Sequence, residues 1–112
     1  MPQTFQLYKL KVTLRHTKDG RKAYSRQPEG TYFIASGENL TFPSGDHSFP
    51  MYALASIIPL LPAKQRITEP LDWITTDCII ADPDPHSGII YGIERLELET
   101  FNRADVTATQ TN

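Results

Sequence analysis

The chain has 112 residues, of which 39% are hydrophobic and 21% charged, so it is long enough for one buried core and too short for two. Eleven basic and thirteen acidic side chains give a net charge of −2, which argues against the basic surface typical of nucleic-acid binders. The longest apolar stretch, residues 53–63, is too short and too interrupted by proline to span a bilayer, and residues 1–14 lack the apolar run of a secretory signal. The single cysteine, Cys78, cannot form an internal disulfide, so we expect a soluble, cytoplasmic protein with no nucleic-acid or membrane partner.

The first third of the chain is predicted to form β-structure. Residues 5–14 alternate between apolar and polar side chains, and this period of two is typical of a strand with one buried face. Residues 16–30 are polar and rich in turn formers, which predicts an irregular loop. Residues 31–35 and 38–42 favour strands on either side of a Ser-Gly turn, so a hairpin is predicted there.

One main helix is predicted, at about residues 51–62. Pro50 suits the position just before a helix, whereas Pro59 and Pro62 are expected to kink or end it. Four apolar side chains at helical spacing share one face of it, namely Met51, Leu54, Ala55 and Ile58. Ile57 and Leu61 lie beside this face, so the helix is predicted to be mostly buried.

Shorter elements are predicted after the helix. Asp72 is expected to start a turn that carries Trp73 and ends near Asp77. The continuous apolar run at residues 78–81 predicts a strand buried on both faces, with Cys78 as a buried thiol. The proline-rich segment that follows predicts a tight turn.

The last strand is predicted at residues 89–98, where a change in the alternation of apolar side chains indicates a bulge at Gly92. Residues 99–112 contain almost nothing to bury and are predicted to be disordered. Strands, then a helix, then strands again predict an α+β fold. In this fold a single domain, residues 1–98, packs an antiparallel or mixed sheet against the main helix.

Three motifs of the second half carry a resemblance to a known family. The run YALASIIPLLPAKQR is followed by DW-x-TTD and then by A-x-PDP, before a closing strand that ends IERL. This pattern resembles a largely uncharacterised family of short bacterial and fungal proteins, in which a Cys-bearing apolar helix precedes an Ala-Cys-Pro-Asp-Pro loop. The resemblance covers residues 8–98 and is most specific at residues 50–85. Because most of the family has no assigned activity, the resemblance implies little about function. The fungal relatives and the loss of the cysteines are compatible with a role in secondary metabolism.

The chain departs from the family pattern at the cysteines. The positions that resemble the family's cysteines hold Thr17, Pro50 and Asp82 here. Thiolates from three loops would suit a soft metal ion or redox chemistry in the relatives, and this chain cannot rebuild such a site with Cys78 alone. Two interpretations stay open: the family's cysteines are small buried residues without chemistry, or this chain has lost their function.

Candidate acid–base groups lie on the loops around the main helix. His47 precedes the predicted helix start, where the positive helix end would favour a neutral imidazole. Asp77 and Asp82 bracket the apolar run, and paired carboxylates can divide the acid and base roles of a catalyst. Turn and cap formation is the ordinary alternative for these aspartates. Since the three histidines lack the spacing of metal ligands, we predict neither a metal nor a cofactor.

Aromatic side chains are candidates for binding a small apolar molecule. Four of them, spread over the helix region and the last strand, could line one pocket. The alternative is that they simply fill the core, as aromatic residues of small domains often do. The four residues are Phe49, Tyr52, Trp73 and Tyr91.

Two functions follow from these residues. The first is a cofactor-independent enzyme of isomerase, cyclase or lyase type, in which an aromatic pocket shapes an apolar substrate and His47, Asp77 or Asp82 moves a proton. The second is a non-catalytic small-molecule-binding or self-assembling module, which forms a homodimer through an exposed strand edge. An internal space of several hundred Å³, lined by Trp73 or Tyr52 and reaching a polar group, would favour the enzyme.

Overall fold

In a computed structural model that describes residues 3–109, five strands form one sheet. Every pairing in the sheet is antiparallel, and the spatial order is β3-β2-β1-β5-β4. The α+β prediction is therefore confirmed. The five strands are β1 (Thr4–His16), β2 (Tyr32–Ser36), β3 (Asn39–Thr41), β4 (Ile79–Ala81) and β5 (Ile89–Asn102).

A helical segment of three short pieces packs on the sheet at residues 51–65. It consists of α1 (Met51–Ile57), a 3₁₀ turn (Ile58–Leu60) and α2 (Leu61–Gln65). Pro59 and Pro62 do not end the segment, because each lies in the first turn of a new piece, where a missing N–H needs no partner. The segment therefore continues three residues beyond its predicted end.

The buried face of this segment is shifted from the predicted one toward the neighbouring Ile57 and Leu61. Ala53, Ile57 and Leu61 are buried, whereas Met51 and Ile58 are exposed. The segment is apolar almost all round, so helical spacing alone could not identify the face that meets the sheet. Together with the sheet it forms one core, made of Leu10, Val12, Leu14, Phe33, Ala35, Ala53, Ile57, Leu61, Ile89, Tyr91 and Ile93.

The long strand β5 contains a bulge, but not at the predicted place. Tyr8 of β1 faces Leu98 and Leu10 faces Arg95, so β5 has one extra residue at this point. Gly92 instead pairs regularly with Thr13. A side chain there would meet the Arg15 guanidinium, since a Cβ built on Gly92 lies 2.8 Å from Arg15 Cζ.

The strand β4 lies at the edge of the sheet, although its apolar sequence predicted burial on both faces. It pairs with β5 alone, and Ile79 is 57% exposed. Cys78, just before it, is also exposed, so the prediction of a buried thiol is wrong. A short apolar run does not reveal whether a strand has one neighbour or two, because sheet order depends on the distant strands.

The turn predicted at Asp72 is confirmed. The helix α3 (Trp73–Thr76) begins there, and the Asp72 carboxylate accepts a hydrogen bond from the Ile74 N–H at 2.8 Å. Asp77 ends it.

The C-terminal region contains more regular structure than predicted. The strand β5 continues four residues beyond its predicted end, because residues 99–102 pair with residues 4–7 of β1, and one helical turn, α4 (Arg103–Val106), follows. Disorder is thus the wrong prediction for residues 99–106, and residues 110–112 of the predicted tail lie outside the described residues. Among residues 3–109, no helix has the length and apolar character needed to cross a bilayer.

Candidate functional site

An open cleft of about 630 Å³ lies at the start of the helical segment. Three parts of the chain form it: residues 24–27 of the long loop, residues 46 and 48–53, and the region around β4 and β5 that contributes Asp82, Ile89 and Tyr91. We call this space the main cleft. It brings together residues that are far apart in the sequence.

The polar centre of the main cleft is a hydrogen-bonded pair. Tyr91 on β5 is 1% exposed, and its hydroxyl donates to Asp82 Oδ2 at 2.7 Å. The other carboxylate oxygen, Asp82 Oδ1, accepts from the Asp84 N–H at 2.8 Å. The carboxylate therefore has a fixed orientation, while its two oxygens keep further lone pairs for a ligand.

Burial raises the pKa of the Tyr91 phenol well above its ordinary value, and the hydrogen bond to Asp82 and the charge of Asp82 raise it further. The phenol consequently stays protonated at neutral pH. It acts as a permanent donor to the carboxylate and is not itself a base.

Aromatic rings form one wall of the main cleft. The ring of Phe49 meets Phe33 edge-on at 4.9 Å between centroids and lies 5.6 Å from the ring of Tyr91. Packing against the core thus fixes Phe49, whereas Tyr52 is exposed at the rim. A ring fixed inside the cleft and an exposed ring at its entrance suit a small molecule with an apolar body.

Hydrogen bonds hold the polar loops at the rim in place. Asp46 Oδ1 accepts from the Ser48 hydroxyl at 2.5 Å, and Gln27 Nε2 donates to the same Ser48 oxygen at 2.7 Å. The hydrogen bond from Ser48 lowers the pKa of Asp46, and the nearby Arg26 guanidinium contributes in the same direction. The rim therefore presents an ionised carboxylate beside a guanidinium.

His47 does not line the main cleft, although Asp46 and Ser48 on either side do. Its backbone adopts the left-handed conformation, with φ of 63°, and its side chain is directed to the Phe42 carbonyl, with Nδ1 2.7 Å from that oxygen. The helix α1 also begins four residues later, at Met51, so the side chain does not lie at the helix end. The position of His47 gives no support to a catalytic role.

Trp73 and Asp77 lie at a second, smaller pocket of about 260 Å³. This pocket also contains Lys64, and we call it the Lys64 pocket. Trp73 is 74% exposed, so it is not part of the core. Of the seven residues predicted as site residues, the structure thus brings four into the main cleft, namely Phe49, Tyr52, Asp82 and Tyr91.

Several lining residues had no clear signal in the sequence. Tyr24 and Arg26 belong to a polar loop without periodicity, and their part in the main cleft depends on how this loop folds back. Lys64 follows the buried Leu61 by three residues and therefore lies on the same face of the helix. Helical spacing could have identified it as a buried residue once that face was known. Within residues 3–109, no three side chains of the His, Cys, Asp and Glu type converge as candidate metal ligands.

A scan against protein-family models gave no match, and searches of curated proteins and of solved structures gave none either. The resemblance to the bacterial and fungal family therefore stays a prediction.

Proposed function

We propose that the main cleft is the active site of a cofactor-independent enzyme of isomerase, cyclase or lyase type, acting on a small apolar molecule of secondary metabolism. The observation that carries this proposal is the Asp82–Tyr91 pair inside an aromatic-walled cleft. The volume of about 630 Å³ falls in the range of ligand pockets, and the space reaches from Tyr52 to a carboxylate. We also propose a cytoplasmic location, since a lone exposed thiol is typical of reducing compartments.

Asp82 acts as the general base in this proposal. Its carboxylate accepts a proton from a weakly acidic C–H group of the substrate and returns it to another atom, so no cofactor has to supply electrons. Tyr91 is a positioning residue, because its hydroxyl holds Asp82 Oδ2. Phe49 and Tyr52 enclose the apolar body of the substrate and orient it toward the carboxylate.

Deuterium uptake tests this proposal. A panel of small apolar carbonyl compounds is incubated with the protein in D₂O, and mass spectrometry measures the exchange of their C–H groups. We expect exchange in at least one compound, and we expect Asp82→Asn to reduce its rate about 100-fold or more, as for loss of a general base. Tyr91→Phe should reduce the rate while leaving binding of the compound intact.

His47→Ala is the matched control, because His47 is a titratable neighbour that does not line the main cleft. We expect this variant to exchange deuterium at the parent rate. Equal rates for the parent and Asp82→Asn would contradict the proposal. Binding without exchange across the panel would favour a non-catalytic binding module.

A self-assembling module is the second candidate function, and the exposed edge of the sheet favours it. Ile79 on β4 and the nearby Trp73 are exposed apolar side chains beside unpaired backbone groups. A second copy could pair with this edge to form a homodimer. Because that pairing would cover the Lys64 pocket rather than the main cleft, the two functions are separable by experiment.

A further inference from the structure

The Lys64 pocket lies apart from the main cleft and has a different chemistry. Its volume is about 260 Å³, and Leu60, Ile79 and Ile93 provide apolar walls. Trp73 also lines this pocket, although most of its surface is exposed to solvent. Lys64 and Asp77 contribute its charged side chains.

Lys64 is buried to a degree that is unusual for lysine, with 5% of its surface exposed. Its Nζ donates a hydrogen bond to the Ile74 carbonyl, which also belongs to the pocket. Among residues 3–109, the ion pairs within 4.0 Å do not include Lys64. The pocket therefore contains an amine anchored by a neutral carbonyl and without a carboxylate in contact.

The charges around Lys64 come from two neighbouring elements. Burial lowers the pKa of the Lys64 amine, and the Arg95 guanidinium lowers it further. Arg95 is held there because its Nε donates to the Lys64 carbonyl oxygen at 2.8 Å. Cys78 and Asp77 act in the opposite direction. The net effect is a lowered pKa of Lys64, which increases the fraction of neutral amine, the nucleophilic form of lysine.

We propose that the Lys64 pocket is a second site, which takes up a small apolar aldehyde and binds it covalently as an imine of Lys64. The Nζ lone pair forms a bond to the carbonyl carbon, and the carbonyl π pair moves to oxygen. Proton transfer from nitrogen to oxygen gives a carbinolamine, which then loses water. The net change is amine plus aldehyde to imine plus water, so no oxidant or reductant is needed.

Asp77 completes the site, because the loss of water needs a proton donor near the carbinolamine oxygen. Asp77 lines the same pocket, and its carboxylate can relay the remaining amine proton from nitrogen to the departing hydroxyl, so that imine and water form with no net change at Asp77. The apolar walls of the pocket determine which substituent the aldehyde can carry. Leu60, Ile79 and Trp73 favour an alkyl chain over a hydroxylated one, because a buried hydroxyl without a partner is costly.

Reductive trapping tests the proposal. The full chain is incubated with hexanal and sodium cyanoborohydride near neutral pH, which converts an imine into a stable secondary amine, and peptide mass spectrometry measures labelling at each lysine. We expect Lys64 to be labelled about tenfold or more faster than Lys18, whose side chain is exposed. With glyceraldehyde in place of hexanal, this preference for Lys64 should disappear.

Four variants test whether the labelling depends on the Lys64 pocket. Lys64→Arg keeps the positive charge and a donor for Ile74 but should abolish labelling at this position. Cys78→Ser should label Lys64 at least as fast as the parent, because it removes a group that raises the pKa of Lys64, and such labelling excludes capture by the nearby thiol. Asp82→Asn should label like the parent because it changes the main cleft alone. Asp77→Asn should slow labelling at Lys64 and leave Lys18 unchanged. Labelling of Lys64 no faster than of Lys18, in a parent whose circular dichroism shows a folded protein, would overturn the proposal.

Discussion

The single residue that differs most from sequence-based expectation is Lys64. Lysine is almost never fully buried without a partner of opposite charge, yet this one lies at the apolar face of α2 with a backbone carbonyl as its acceptor. The long alkyl chain of Lys64 explains part of its burial, since four methylene groups pack well beside Leu60 and Ile93. The buried ammonium, in contrast, costs stability.

The pH dependence of stability measures this cost. The pKa of Lys64 in the folded state lies below the ordinary value of 10.5. Between these two values the unfolded chain holds a proton that the folded chain has released, so the free energy of unfolding rises with pH. Below the folded-state pKa both states are protonated and the full cost of burial is present.

We therefore expect Lys64→Met to gain stability relative to the parent at neutral pH, and this advantage to shrink as the pH rises toward 10.5. Urea unfolding at several alkaline pH values measures the difference. Lys22→Met is the matched control, because solvent hydrates the exposed Lys22 in the folded and the unfolded state. The difference in free energy of unfolding between this variant and the parent should not change with pH. A constant difference between Lys64→Met and the parent over this pH range would contradict the expectation.

Among the elements, the helical segment at residues 51–65 shows most directly how neighbours decide burial. Its second and third pieces each have a proline as their second residue, and this proline presets the backbone for a first helical turn. Its sequence has apolar side chains on several faces, so more than one of them could have met the sheet. The sheet selects the face of Ala53, Ile57 and Leu61, because these contact the core strands.

Two adjacent isoleucines test this orientation. Ile57 is 0% exposed and Ile58 is 42% exposed, so truncation to alanine removes the same atoms from two different environments. We expect Ile57→Ala to lower the free energy of unfolding by about 2–5 kcal/mol and Ile58→Ala by about 1 kcal/mol or less. Chemical denaturation of both variants is the measurement. The reverse order would mean that the face predicted from spacing is the buried one.

At the scale of the whole molecule, three separate parts of the chain meet at the main cleft. The edge strand β4 has three residues, so pairing of two such edges would form few hydrogen bonds and bury little surface compared with a stable dimer.

We accordingly expect a monomer of 12.7 kDa in light scattering coupled to size exclusion, over about a hundredfold range of concentration. Ile79→Lys should leave this mass unchanged, because the charge is added to an edge that is already free. A mass of twice this value that returns to 12.7 kDa in Ile79→Lys would instead support the self-assembling module.

Much of the local structure could be predicted from the sequence, because its causes lie within a few residues. The alternation in β1, the hairpin of β2 and β3, and the cap that Asp72 provides for α3 all depend on near neighbours. The candidate site was predicted in part. Phe49 and Tyr52 lie close to each other in the chain, and Asp82 and Tyr91 are joined by one turn, so their approach required few long-range contacts.

The amino-acid sequence by itself determined the α+β class and the approximate place of the five strands and of the main helix, since hydrophobic period and turn residues act locally. The tertiary structure alone decided which helix face is buried, that β4 is an edge strand, and that Trp73 and Asp77 join Lys64 instead of the main cleft. These outcomes depend on contacts between segments that are distant along the chain. Such contacts follow from the packing of the whole sheet, and no window of sequence contains them.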